Sequence, residues 1–112
     1  TTLFRSYNEE YSKMLMNKIL EKFIQIAKSK GHKPIIIIFP QLFDLKLSKT
    51  VNLVNNYFNN LNKDIYIINL IKKLNKYNIK KLYVNDKYGG HFSKYGNKIV
   101  ANIIDKEMKK IF

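Results

Sequence analysis

The sequence contains no cysteine. Disulfides, thiolate metal sites and cysteine nucleophiles are thereby excluded, and nothing follows about compartment. Long apolar runs are also missing. The longest, Ile35 to Phe39, falls far short of the ~20 residues a membrane span needs, so no transmembrane segment is expected. No secretory signal is visible, and the sequence opens on Thr1 rather than methionine. Its true N-terminus is therefore expected to lie further upstream. Acidic residues are scarce, 8 against 21 basic ones, which leaves a net charge of +13. Glycine is scarce as well, and three of the four glycines sit together in Tyr88–Asn97, "YGGHFSKYGN".

What is present fits one small globular domain. A chain of 112 residues buries roughly two thirds of its unfolded surface, enough for a single core. The 46% hydrophobic content argues against disorder. The charge has two readings. A basic chain suits nucleic acid or another anionic surface. However, 20 of the 21 basic residues are lysine, and lysine, asparagine and isoleucine together dominate, as AT-rich codons would make them. Arginine is the usual base reader, the lysines are spread along every segment, and the aromatics form no stacking cluster. Nucleic acid is the weaker reading of the two.

Ser6-Tyr7-Asn8-Glu9 has the form of a capping box. Behind it Tyr11, Leu15, Ile19, Phe23 and Ile26 recur at helical spacing, flanked by Met14, Leu20 and Ala27, up to a stop at Gly31. A helix of about 20 residues is predicted. Pro34 and Pro40 then bracket Ile35-Ile36-Ile37-Ile38-Phe39. An apolar, β-branched run without alternation is the pattern of a strand covered on both faces, as in a parallel sheet. Gln41–Lys49 reads as a loop past the carboxyl end of that strand. Ser48 or Thr50 caps a second helix with Val51, Val54, Phe58 and Leu61 on its apolar side. Asp64–Leu70 is a second strand. Ile71–Tyr77 reads as a short helix or turn anchored by Leu74, and Lys81–Val84 as a brief extended segment. From Ser93 onward, Gly96, Val100, Ile103, Glu107 and Ile111 mark a closing helix.

This order predicts an α/β protein with parallel strands joined by right-handed crossovers. Ligands of such sheets bind beyond the carboxyl ends of the strands. That makes Pro40–Lys46 and the glycine loop, Asn85–Ser93, the expected functional rim. Two strands are too few, however. A flat run of isoleucines with an open edge is an aggregation hazard. Residues 1–112 are therefore expected to be one partial domain. Either another segment supplies the rest of the sheet, or two copies complete each other.

The glycine loop has a plain reading and a specific one. Plainly, Gly89-Gly90 is a turn, His91 caps a helix or lies on the surface, and Gly96 lets the helix pack closely on the sheet. Specifically, a histidine at this rim is placed as a general base, with Asp86, five residues earlier, to hold the imidazole. Other chemistries find little support. His32 and His91 are far apart and no metal-ligand spacing exists, so neither a metal nor a cofactor is expected. Asp44 reads as a loop cap before it reads as a rim acid.

The block "DKYGGHFSKYGNKIVANII" resembles the closing block of the SGNH (GDSL-like) hydrolases: an aspartate, a histidine soon after, a small or hydroxyl residue, a glycine, and an amphipathic last helix. Upstream, "KSKGHKPIIIIFPQ" and "DIYIINL" match that family's order of helix, proline-terminated strand, helix and strand. The resemblance spans nearly the whole chain, yet corresponds to only the C-terminal half of the family's domain. It implies a three-layer flavodoxin-like fold and a Ser-His-Asp ester hydrolase, with His91 as general base and Asp86 as its orienting acid. An ester or O-acylated carbohydrate is the implied substrate. Two departures stand out. The family's aspartate lies three residues before the histidine, where this chain has Tyr88; Asp86 would reach His91 if Gly89-Gly90 bulged. The Gly-Asp-Ser nucleophile and the oxyanion-hole blocks are absent, and no serine here has their context. The implied partner is the missing N-terminal half, or a second copy. The competing readings are a basic α/β binding module and a catalytically dead SGNH-like domain.

Overall fold

A computed structural model describes residues 9–46, 48–60, 65–86 and 89–112. The first helix, α1 (Glu10–Ser29), runs as the periodicity predicts. Its start differs in detail. Glu9 is the N-cap residue and its side chain makes no capping bond; it accepts instead from the Ser12 hydroxyl at 3.3 Å. Ser6, the expected cap, lies outside the described residues. The C-terminus closes as a Schellman motif: His32 N–H donates to Ala27 O (2.9 Å) and Gly31 N–H to Lys28 O (3.0 Å). Gly31 has φ 71°, the left-handed conformation that only glycine adopts cheaply. His32 thus serves the helix end through its backbone.

The four isoleucines form β1 (Ile35–Ile38), and Phe39 is already out of the strand and 56% exposed. A five-residue helix α2 (Leu42–Lys46) and then α3 (Ser48–Asn59) lead to β2 (Tyr66–Asn69). The side chains of Val51 and Val54, and all of Leu61, lie outside the described residues; Phe58 is buried as expected. β2 runs parallel to β1, pairing Ile35 with Tyr66 through Ile38 with Asn69. It ends one residue sooner than predicted because Asn69 turns it into a helix. The Asn69 side chain accepts from Ile71 N–H (3.0 Å) and Lys72 N–H (3.4 Å), opening α4 (Leu70–Leu74).

Side chains alternate across the two strands, so this small sheet has two apolar faces. Ile36, Ile38 and Ile67 pack with Leu20 of α1, with Leu53, Tyr57 and Phe58 of α3, and with Ile71. Ile35, Ile37 and Ile68 join the other cluster, around Leu70, Leu74, Leu82, Tyr83 and Val100. The chain is therefore mixed α/β, with helices against both faces of a parallel pair. Each of β1 and β2 keeps one edge without a strand among the described residues.

Beyond α4 the sequence expectation fails in part. Asn78 caps a one-turn helix α5 (Ile79–Leu82), accepting from Lys80 N–H at 3.0 Å. Then β3 (Tyr83–Asp86) and β4 (Gly89–Phe92) pair antiparallel. The expected glycine loop is thus mostly a hairpin. Two glycines give a segment no β-propensity of its own, so β4 exists through its partner strand and its packing. The last helix α6 (Lys94–Ile111) begins where predicted: Ser93 Oγ accepts from Gly96 N–H (3.0 Å) and donates to Lys81 O (2.6 Å).

Gly96 does allow close packing, but against α5 rather than the sheet. A β-carbon there would collide with the Leu82 carbonyl oxygen, a backbone atom with no freedom to move aside. The apolar periodicity of α6 includes Glu107, which lies there because Lys73 of α4 donates to it at 2.7 Å and Lys110 at 3.0 Å. The Lys73 bond, then that of Lys110, hold its carboxyl below the ordinary 4.5.

Two outcomes follow. Gly96→Ala should lower stability by about 2–3 kcal/mol through overpacking, seen as a lower urea midpoint; an unchanged midpoint contradicts the packing. A carboxyl with a lowered folded pKa stabilises above its unfolded value, and that contribution is lost as pH falls through the folded one. Lys73→Met should therefore flatten the loss of stability as pH drops below 4.5, measured by urea midpoints across an acid series.

Candidate catalytic rim

The β3–β4 register places each residue of the glycine-histidine segment. Tyr83 pairs with Phe92, Val84 with His91, Asn85 with Gly90 and Asp86 with Gly89. Positions 83, 85, 90 and 92 share the inner face. Tyr83 is buried there, and its ring stacks on Phe92 at 4.7 Å between centroids. Positions 84, 86, 89 and 91 share the outer face, where Val84 and His91 are exposed. Asp86 thus stands on the same ribbon face as His91, as its diagonal neighbour, a spacing of roughly 7–8 Å along the backbone. The Asp86 side chain itself lies outside what is described. The pairing is one-to-one, so the bulge at Gly89-Gly90 that Asp86 was expected to need does not form; positions 86 and 91 are diagonal in the register instead.

The inner face explains Gly90. A β-carbon at this position would lie 2.6 Å from the Leu42 Cβ of α2. The absent side chain lets α2 sit directly on the hairpin, so Gly90 admits a neighbouring helix rather than a substrate. α2 is fixed in turn by a reciprocal cap. Gln41 N–H donates to Asp44 Oδ2 at 2.8 Å, and Asp44 N–H donates back to Gln41 O at 3.0 Å. Asp44 is 2% exposed, so it is the loop cap of the sequence reading, not an acid on the rim. A second tie runs from Tyr83, whose hydroxyl donates to Pro40 O at 2.9 Å. Burial, and then the negative charge of Asp44, push its phenol above the ordinary 10. It stays protonated and remains a donor.

The two rim segments, far apart in sequence, are therefore in contact, and the hairpin is fastened to the chain just past the carboxyl end of β1. Sequence reasoning missed the fasteners, Leu42 and Tyr83. Their one signal was a glycine at 90 with no turn to make.

Chemically, the rim offers an exposed imidazole with a carboxylate position beside it. Among the described residues each serine hydroxyl is engaged elsewhere. Ser93 Oγ is engaged at both the α6 cap and Lys81 O, Ser12 bonds Glu9 and Ser29 bonds Ile26 O. Ser6 and the Ser48 side chain lie outside the described residues. Among the described residues no group of three His, Asp or Glu side chains is placed to hold a metal ion, and no helix is long and apolar enough to cross a membrane. No family model, no curated protein and no solved structure matches the chain.

Tyr83→Phe tests the fastening. It leaves the buried Pro40 carbonyl without its donor and should cost about 1–2 kcal/mol. Amide exchange in β3 and β4 should accelerate more than exchange in α6. Uniform acceleration across both would contradict a local tie.

Proposed function

We propose that the chain is the C-terminal part of an SGNH-type serine ester hydrolase with a three-layer flavodoxin-like fold. His91 is its general base and Asp86 orients the imidazole. The observation that carries this reading is the placement of positions 86 and 91. They share one outward ribbon face, fastened at the carboxyl end of a parallel strand, where ligands of α/β sheets bind. The helices on both faces of β1–β2 agree with the layered architecture.

The reaction needs a serine hydroxyl from the N-terminal half. Its oxygen attacks the acyl carbon of an ester, an O-acylated carbohydrate among the candidates, while His91 takes the hydroxyl proton and returns it to the leaving alkoxide. Water, deprotonated by the same imidazole, then attacks the acyl-serine. The collapse of that second tetrahedral adduct releases the carboxylic acid and restores the serine. The oxyanion donors, the largest electrostatic contribution in such reactions, also come from the missing half.

The 112 residues alone should therefore not hydrolyse p-nitrophenyl acetate above the background set by free imidazole. Joined to the residues encoded upstream, they should, and His91→Ala should then lower kcat/KM at least about ten-thousandfold, with a smaller loss for Asp86→Asn. Robust His91-dependent turnover by the isolated chain would sink the reading. So would a longer product whose turnover ignores His91→Ala.

A further inference from the structure

One side of α1 faces the rest of the chain. Leu20 packs on the β1–β2 face, Ile24 is buried, and Asn17 accepts from the Tyr57 hydroxyl of α3 at 2.7 Å. Tyr11, Leu15, Ile19, Phe23 and Ile26 are 44–70% exposed. At about 100° per residue these five lie roughly 80–160° round the helix from the direction of Leu20 and Ile24. The stripe therefore points outward and sideways rather than onto the sheet, and it runs for about 22 Å. Single exposed apolar side chains are ordinary on a protein surface, whereas a continuous row of them marks an interaction site.

The charges around the stripe are sorted. The half of α1 centred on it carries Lys18 and Lys22, both exposed, and no carboxylate; Glu10 and Glu21 lie on the opposite half. Lys18 borders the stripe and Lys22 lies within it. A lysine can lay its stem along apolar surface while its ammonium stays in water. α1 is not apolar all round, and among the described residues no helix qualifies to cross a membrane. A helix with one apolar face and a basic border lies in the plane of a membrane interface instead.

Charge decides between the occupants of such a face. A second copy would bring +13 against +13, and like charges oppose association. An acidic protein would match a local basic cluster, but here 20 lysines are spread along every segment. Charge spread in this way matches an extended, uniformly negative surface, which is what a bilayer of anionic lipid presents. We propose that the outward face of α1 docks on an anionic lipid bilayer. Leu15, Ile19, Phe23 and Ile26 enter the boundary between headgroups and acyl chains, and Lys18 and Lys22 meet the lipid phosphates. The proposal goes beyond the esterase reading and uses none of its chemistry.

The test uses vesicles of phosphatidylcholine, alone or with roughly one-third phosphatidylglycerol. Co-sedimentation of the chain with the mixed vesicles should exceed that with phosphatidylcholine alone at least about tenfold, and should fall with salt. The chain has no tryptophan, so Ile19→Trp gives a single reporter whose emission should shift to the blue as the ring enters lipid. Ile19→Asn with Phe23→Asn, and separately Lys18→Gln with Lys22→Gln, should each weaken binding about tenfold or more. Both pairs should leave the urea midpoint nearly unchanged, since all four residues are exposed. Failure to bind the mixed vesicles leaves an acidic protein as the occupant and overturns the proposal. So does equal binding to both kinds of vesicle, or binding that ignores the asparagine pair. A chain that dimerises in sedimentation and becomes monomeric with Ile19→Asn assigns the face to a second copy and overturns it too. Where residues are encoded upstream, the extended product must bind as well; loss of binding there means the polypeptide covers its own stripe, which also overturns the proposal. Vesicle binding without ester turnover removes the esterase reading alone.

Discussion

Four consecutive isoleucines have to be hidden from water on two faces at once, and the rest of the structure answers to that demand. A strand with one apolar face can rest on a single layer. β1 cannot, since Ile36 and Ile38 point one way and Ile35 and Ile37 the other. Helices must therefore gather on both sides, and the strand next to it must be two-faced as well, as Ile67 and Ile68 make β2. Parallel pairing with a crossover helix satisfies this, because the connection itself becomes cover. The two prolines bracket the strand because they end its ladder, and both are buried.

The same strand positions the rim. The chain leaves β1 at Pro40, whose carbonyl receives the Tyr83 hydroxyl, and turns within two residues into Leu42, which lies against Gly90. The hairpin bearing His91 is not part of the parallel pair. Among its ties to the outgoing end of β1 are the Tyr83–Pro40 hydrogen bond and the packing of Leu42 on Gly90. Its other support comes from Leu82 and Gly96, where α5 and α6 touch backbone to backbone, and from Ser93 N–H donating to Leu82 O at 2.8 Å. His91 thus sits in a short paired ribbon, opposite Val84.

Periodicity made the long helices and both parallel strands legible, because their burial is written in the residues themselves. It failed where structure is decided by partners. Gly89-Gly90-His91-Phe92 carries almost no strand signal, yet it pairs fully with β3 because Tyr83 and Phe92 stack and Leu42 fills the space above Gly90. Glu107 read as an apolar-face position, and only the approach of Lys73 from α4 explains it. Asp86 and His91 were legible as candidates, but their relation was not: five residues apart in sequence, they become diagonal neighbours only through the hairpin register. The stripe of α1 was legible as apolar, and its exposure at Tyr11, Leu15, Ile19, Phe23 and Ile26 was not, since spacing reports which face is apolar and not what lies against it.

The open edge and the rim are mechanically connected. β1 is the shared element: its free edge is where the sheet is incomplete, and its carboxyl end leads straight into the segment that grips the hairpin. Among the described residues β1 gets ladder hydrogen bonds from β2 alone, and Pro40 and Leu42 follow it within four residues. A strand added at the free edge would lock the β1 backbone on both sides and hold Pro40 and Leu42 more firmly under Tyr83 and Gly90. Under the proposed function such a strand would also narrow the range of positions the His91 imidazole samples, and for a general base that must lie within hydrogen-bonding reach, that narrowing is itself a source of rate.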